Sequence, residues 1–160
     1  MISIGHYLYI YSIITNVQAL PIHMISESPI CMVPIRYPLT GTSIRTLEHA
    51  NDLVKSEDIS EVYVLHINIF QNGENYNRYE ISRAISPFFE DCNPTVVTRN
   101  GFLVEKLIAT EAIDIGADII VIGENKNPTW KRVLSRIFGN NPDVGSYLRE
   151  QTPAKVTVVN

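Results

Sequence analysis

The residues whose types and spacing could do chemistry gather behind one apolar run. Asp118-Ile-Ile-Val-Ile-Gly-Glu-Asn-Lys126 reads as a strand that ends in a glycine turn and leads into a basic segment. In an open α/β sheet such a junction is where a phosphate or nucleotide is held, because a helix N-terminus offers unpaired N–H groups and a favourable dipole. Lys126 can meet phosphate as a point charge. Lys131, Arg132 and Arg136 add positive charge, with Glu124 the only acid between Gly123 and Phe138. Gly139-Asn140, thirteen residues past Lys126, supplies a second candidate anion-contacting turn. The structural alternative is a solvated helix whose lysine and arginine stems cover Trp130, and glycine ends many strands without any ligand.

Other chemistries are not spelled out. There is no Gly-x-Ser-x-Gly elbow and no Walker sequence, and Gly5-His6 lacks the His-x-Gly-His signature of nucleotidyl transfer. His6, His23, His49 and His66 show no metal-ligand spacing, so no metal site is expected. His66 alternates with Val62 and Val64, which reads as a hydrogen-bonded core or crevice histidine. Asp118 begins its strand, at the wrong end of a parallel sheet for catalysis. A phosphate transfer by Lys126 and Arg36 would still need a general base, and none is identifiable. The expectation is a non-catalytic protein.

Cys31 and Cys92 lie 61 residues apart and form no Cys-x-x-Cys pair, as in a reduced cytoplasmic protein. A chain of 160 residues, 45% of them hydrophobic, suits one domain with a sizeable core. A net charge of -4 argues against duplex nucleic acid as a partner.

The chain divides at about residue 30. Residues 1–29 are rich in isoleucine and tyrosine and contain no lysine or arginine, the first positive charge being Arg36. Gly5, Asn16, Gln18 and Pro21 interrupt the stretch. A membrane span would need about 20 largely apolar residues with basic flanks, and a secretory signal would need a positive start and a small-residue cleavage site. The reading is an N-terminal extension: a poorly ordered arm, an element packed across the domain or a partner, or a mis-assigned start with Met24 or Met32 as alternatives. Residues 30–160 form the domain.

From residue 30 apolar runs alternate with amphipathic segments, the rhythm of β-α units on a parallel sheet. Strands are expected at 30–35, 61–68, 95–98, 118–122 and 155–159. Helices are expected at about 44–55, with Gly41 and Ser43 as turn and N-cap, and at 79–89. A third carries the stripe Val104, Leu107, Ile108, Ala112 and Ile115, with Glu105, Lys106 and Glu111 outside it and Gly116 as its C-cap. A basic helix at about 129–138 and a short one opened by Asn141-Pro142 and reaching Gln151 complete the set. Arg99, Asn100 and Gly101 read as a turn.

Three segments together resemble the universal stress protein family. They are Met32-Val-Pro-Ile-Arg-Tyr-Pro-Leu-Thr-Gly-Thr-Ser43, Val64-Leu-His-Ile-Asn68, and Gly101 to Glu111 leading into Ala117-Asp-Ile-Ile-Val-Ile-Gly123. Arg36-Tyr-Pro-Leu-Thr40, Gln71, Gly101-Phe-Leu-Val-Glu105, Pro142-Asp143 and Leu148-Arg-Glu150 look like a haloarchaeal branch of it. The resemblance spans residues 30–160 and rests on order and spacing. It implies an open parallel five-stranded α/β sheet of order 3-2-1-4-5 with helices on both faces, Rossmann-like and adenine nucleotide alpha hydrolase-like. It also implies a cytoplasmic role in stress response and a homodimer paired through the edge strand 155–159.

In relatives that hold ATP, the first strand ends in aspartate and the fourth in Gly-x-x-Gly, nine residues, Gly-Ser. Carried onto this chain, the family's cofactor-binding positions fall on Pro34, Arg36, Asn68, Gly123, Lys126, Gly139 and Asn140. Arg36 stands in the aspartate place, Lys126 in that of the second glycine, and twelve residues replace nine. A lysine in a left-handed conformation costs about 1 kcal/mol that a glycine does not, and a guanidinium cannot accept a hydrogen bond. Two expectations follow: a degenerate crevice that takes ATP, AMP or another anion, or a dimeric interaction module that no longer binds nucleotide. A side chain of Arg36, Tyr37 or Phe138 filling the crevice would favour the second.

Overall fold

The computed structural model describes residues 28–73, 75–124 and 143–160. Five parallel strands form one sheet in the order β3-β2-β1-β4-β5. They are β1 (Ile30–Ile35), β2 (Glu61–Ile69), β3 (Thr95–Gly101), β4 (Ile119–Gly123) and β5 (Lys155–Val159). Four α-helices are described: α1 (Gly41–Ser56), α2 (Arg78–Ile85), α3 (Val104–Asp114) and α4 (Val144–Gln151), with short 3-10 turns at Phe70–Asn72 and Ser86–Phe88. This is the expected open α/β architecture. Among the described residues no helix is long and apolar enough to cross a membrane.

Side-chain alternation along the central strands divides the core into two layers. Cys31, Val33 and Ile35 of β1 join Val62, Val64, Ile119 and Val121 against α1 and α2. Met32 joins Leu65, Ile67, Ile120 and Ile122 against α3 and α4. Strands buried on both faces read as unbroken apolar runs, which is why β2 and β4 are visible in the sequence. Cys31 is fully buried, and its burial pushes the thiol up to about 12, so it behaves as a small hydrophobe.

Several boundaries differ from expectation, each for a local reason. Arg99, Asn100 and Gly101 are not a turn; they extend β3 and pair with Ile67, Asn68 and Ile69 of β2. Polar residues are tolerated there because β3 is an edge strand, exposed on its outer side. The N-cap of α1 is Thr40, whose side chain accepts from the Ser43 amide. Asp143 rather than Asn141 caps α4. The second helix stops at Ile85, since Pro87 cannot continue an α-helical ladder and forces the 3-10 turn that follows.

The expected stripe of α3 packs on the core, Ile108 and Ala112 buried and Val104, Leu107 and Ile115 against the same layer, but the buried face is wider than expected. Glu105, Ile108, Ala109 and Ala112 face the sheet, and Glu105 and Glu111 are only 2% and 4% exposed. Glu111 is buried because Arg99 meets it with two contacts, Nε to Oε2 at 2.7 Å and Nη2 to Oε1 at 2.9 Å. The helix then ends as its glycine foretells. Gly116 takes φ 67°, and the amides of Gly116 and Ala117 donate to Ile113 and Ala112 at 3.1 and 2.8 Å, a Schellman motif.

Candidate functional site

The candidate site opens where β1 and β4 part. Their ladder pairs Cys31 with Ile119 and Met32 with Ile120 and goes no further. Beyond it β1 stays paired with β2 as far as Ile35 and His66, while β4 stays paired with β5 as far as Gly123 and Val159. Pro34 lies in the stretch where the two separate, and a proline has no N–H to continue a ladder. The helices next described after β1 and β4, α1 and α4, pack on opposite faces of the sheet, so this gap is the topological switch point where ligands enter open α/β folds.

The N-terminus of α1 stands at the mouth of the gap. Thr40 Oγ1 accepts from the Ser43 amide at 3.2 Å, and Ser43 Oγ donates back to the Arg36 carbonyl at 2.9 Å. These bonds fix the loop that carries Arg36, whose side chain is exposed. Arg45, on the same turn, donates from Nε to the Asn160 carbonyl at 3.1 Å and from Nη2 to Thr42 Oγ1 at 3.3 Å. No acid lies in the first turn of α1. The mouth therefore combines a helix N-terminus with the Arg45 guanidinium, and exposed Arg36 stands on the loop leading into it, an electrostatic setting for an anion. Arg45 was not foreseen from the sequence, because its role depends on the chain returning through β5 to bring Asn160 beside it.

Gly123 closes the other side. A β-carbon there would collide with the Thr42 methyl group and lie 2.6 Å from Thr46 Oγ1. Thr46 is 1% exposed and its hydroxyl donates to the Thr42 carbonyl at 2.8 Å. The glycine is needed so that the first turn of α1 can rest on the end of β4. Glu124 follows, its amide donating to the Val159 carbonyl at 2.7 Å.

The end of β2 is held by a hydrogen-bond network of its own. Asn68 is 3% exposed and spends its amide within the fold. Its Nδ2 donates to the Tyr76 carbonyl and to Asn100 Oδ1, both at 3.1 Å, and its Oδ1 accepts from the Tyr76 amide at 2.9 Å. Asn68 thus pins the 70–77 loop to β3. His66 is 1% exposed, with Nδ1 3.4 Å from the Ile35 carbonyl, matching the buried role expected of it. Tyr37 packs edge-on against His66 and Tyr76, with ring centroids 6.3 and 4.9 Å away. The tyrosine is directed into the α1–α2 layer of the core, while Arg36 beside it faces outward.

The structure therefore brings Pro34, Arg36 and Gly123 to one gap and gives Asn68 a fastening role at its flank. Lys126, Gly139, Asn140, Phe138 and the basic helix at 129–138 lie outside the described residues, as do residues 1–27. Glu105 is the group that pattern reading missed. It sits in the first turn of α3, on the sheet-facing stripe, and among the described residues no other residue hydrogen-bonds either carboxylate oxygen. Burial raises its affinity for a proton above that of an ordinary carboxylic acid. Among the described residues no group of three His, Cys, Asp or Glu side chains could hold a metal ion.

This arrangement defines a class: an open α/β fold with its crevice between the first and fourth strands. Solved universal stress proteins share it. A universal stress protein in complex with cAMP aligns at a TM-score of 0.56 and 14% identity, covering 81% of this chain and 96% of that one. The protein MJ0577 aligns at 0.55 and 20%, covering 82% and 95%. A universal stress protein from Archaeoglobus fulgidus aligns at 0.52 and 16%, covering 82% and 98%. At these identities the likeness establishes the fold, and it lends no support to a haloarchaeal branch. No protein-family model matches the chain, and no curated protein matches it in sequence.

Proposed function

We propose that this chain is a non-catalytic, universal stress protein-like protein of the cytoplasm, acting in stress response, whose β1–β4 crevice binds a nucleotide or a related anion. The observation that carries this reading is the parting of β1 from β4 after Met32 and Ile120, directly beside the N-terminus of α1, Arg36 and Arg45. A gap of this kind lets phosphate oxygens approach backbone N–H groups, with two guanidinium groups to meet their charge. The solved relative that carries cAMP supports a nucleotide in this fold. ATP and AMP are the ligands to test first, with Pro34, Gly123, Lys126, Gly139 and Asn140 as further contacts. Isothermal titration with ATP, AMP and inorganic phosphate tests the reading; heat that saturates, with an affinity about tenfold weaker in the Arg36→Ala variant, supports it. No heat at millimolar ligand would refute it.

A second reading has its own observation. Asn68, Tyr37, His66 and Tyr76 are engaged with one another at the end of β2, where a polar residue was expected to face the ligand. On this reading the crevice serves only as scaffold and the protein is a dimeric interaction module. The dimer would form through β5, an edge strand whose residues Val156 to Val159 are all half-buried in the single chain. Pairing would satisfy its open backbone groups. Sedimentation equilibrium of the intact protein, with Val158→Lys as the disrupting variant, decides whether that edge is used.

A further inference from the structure

Two glutamates are buried on α3, and the described fold satisfies only one of them. Glu111 has Arg99 of β3 against both of its carboxylate oxygens. Glu105 is more deeply buried, at 2% exposure, and no other described residue hydrogen-bonds either of its oxygens. Buried polar atoms in native proteins are satisfied with few exceptions, so an unpaired carboxyl points to a partner that the chain itself does not supply. Burial also penalises its charged form, which makes the acid a cost to the free protein.

The flank of α3 that carries Glu105 follows from its neighbours. At 3.6 residues per turn, Glu105 lies about 120° around the helix axis from Glu111 and about 160° from Leu107. Those two residues mark the β3 side, since Glu111 meets Arg99 and Leu107 lies against Gly101. Glu105 therefore shares the other flank with Ala109, which packs in the layer of Met32, Ile120, Ile122 and Leu148, where α3 and α4 meet. Along the axis, Glu105 belongs to the first turn of α3, at the end of the sheet where β1 and β4 have parted. Leu103 and Val104 beside it are half-buried and Lys106 is exposed, so the carboxyl lies one side chain beneath the surface. The β1–β4 gap thus has Arg45 and the N-terminus of α1 at one face of the sheet and Glu105 at the other.

We propose that Glu105 sets the specificity of the β1–β4 crevice by accepting hydrogen bonds from the sugar hydroxyls of a phosphorylated ligand whose phosphate lies at α1. The inference rests on the crevice reading and adds the part of the ligand that a phosphate site cannot select. Two unpaired carboxylate oxygens match the two O–H donors of a vicinal diol, and forming those bonds removes the cost that the carboxyl imposes on the free protein. Isothermal titration of the full chain with AMP, 2′,3′-dideoxy-AMP and inorganic phosphate tests it, in the parent and in Glu105→Gln and Glu105→Ala. The parent should bind AMP at least about tenfold more tightly than dideoxy-AMP, as charge-assisted hydrogen bonds dictate. That preference should shrink to about threefold in Glu105→Gln, which keeps one acceptor, and vanish in Glu105→Ala. Each ratio compares two ligands on one protein, so a variant that is merely less stable does not move it. AMP and dideoxy-AMP bound equally by the parent, phosphate bound as tightly as AMP, or a preference undiminished in both variants would overturn the role of Glu105 and leave the crevice reading standing. A parent that binds none of the three would overturn both.

Discussion

Thr46 stands against Gly123 so closely that a β-carbon on the glycine would lie 2.6 Å from the threonine hydroxyl oxygen. The contact joins the first turn of α1 to the last residue of β4, and so sets the width of the crevice. Thr46 cannot retreat easily, because it is buried and its hydroxyl is bonded to the Thr42 carbonyl. Gly123→Ala is therefore expected to destabilise the fold by about 1–3 kcal/mol, the usual cost of overpacking a filled site. Urea denaturation of the variant beside the parent protein checks this, and an unchanged midpoint would show that α1 moves freely.

The Asn68 side chain holds three bonds at the end of β2. Asn68→Ala leaves the Tyr76 amide and carbonyl without their partner in a largely buried setting, a cost of about 1–3 kcal/mol. Hydrogen exchange at the Tyr76 amide should accelerate more than exchange at Val64, deep in β2. Equal acceleration at both positions would mean global destabilisation in place of a loosened loop.

Glu105 gives the fold a pH dependence of definite sign. Its proton affinity is higher in the folded state than the ordinary value near 4.5, so ionisation penalises the native form. The penalty is absent below pH 4.5, grows as pH rises toward the folded value, and is complete above it. Glu105→Gln removes the ionisable group, so the variant should gain stability over the parent as pH rises from acidic to neutral. Melting temperatures across pH 4 to 8 check it; a difference that does not vary with pH would remove ionisation as the cause.

Much of the fold is legible in the sequence, because strands covered on both faces appear as continuous apolar runs and Gly116 marks the end of α3. The burial of two glutamates on α3 is not legible. Glu105 and Glu111 look like surface residues until Arg99, on the neighbouring edge strand, is seen to neutralise Glu111. The site shows the same division. Gly123 and Pro34 are readable because backbone constraints restrict which residue can stand there. Arg45 and the fastening role of Asn68 depend on chain segments 115 and 32 residues away, and local pattern carries no record of such pairs.

Arg36 is exposed, and the bond described for it is made by its backbone carbonyl, which alanine keeps, so Arg36→Ala should leave stability nearly unchanged. Anion affinity should fall about tenfold, equivalent to about 1.4 kcal/mol. A loss of binding that follows a loss of fold would instead show in circular dichroism.

The measurement closest to the central claim is mass spectrometry of small molecules released by mild denaturation of the natively purified protein. Recovery of an adenine nucleotide or another phosphorylated anion in near-stoichiometric amount, depleted in a preparation of the Arg36→Ala variant, is the predicted result. A parent protein that releases none, and takes up none after incubation with millimolar ATP and AMP, would contradict a binding crevice between β1 and β4.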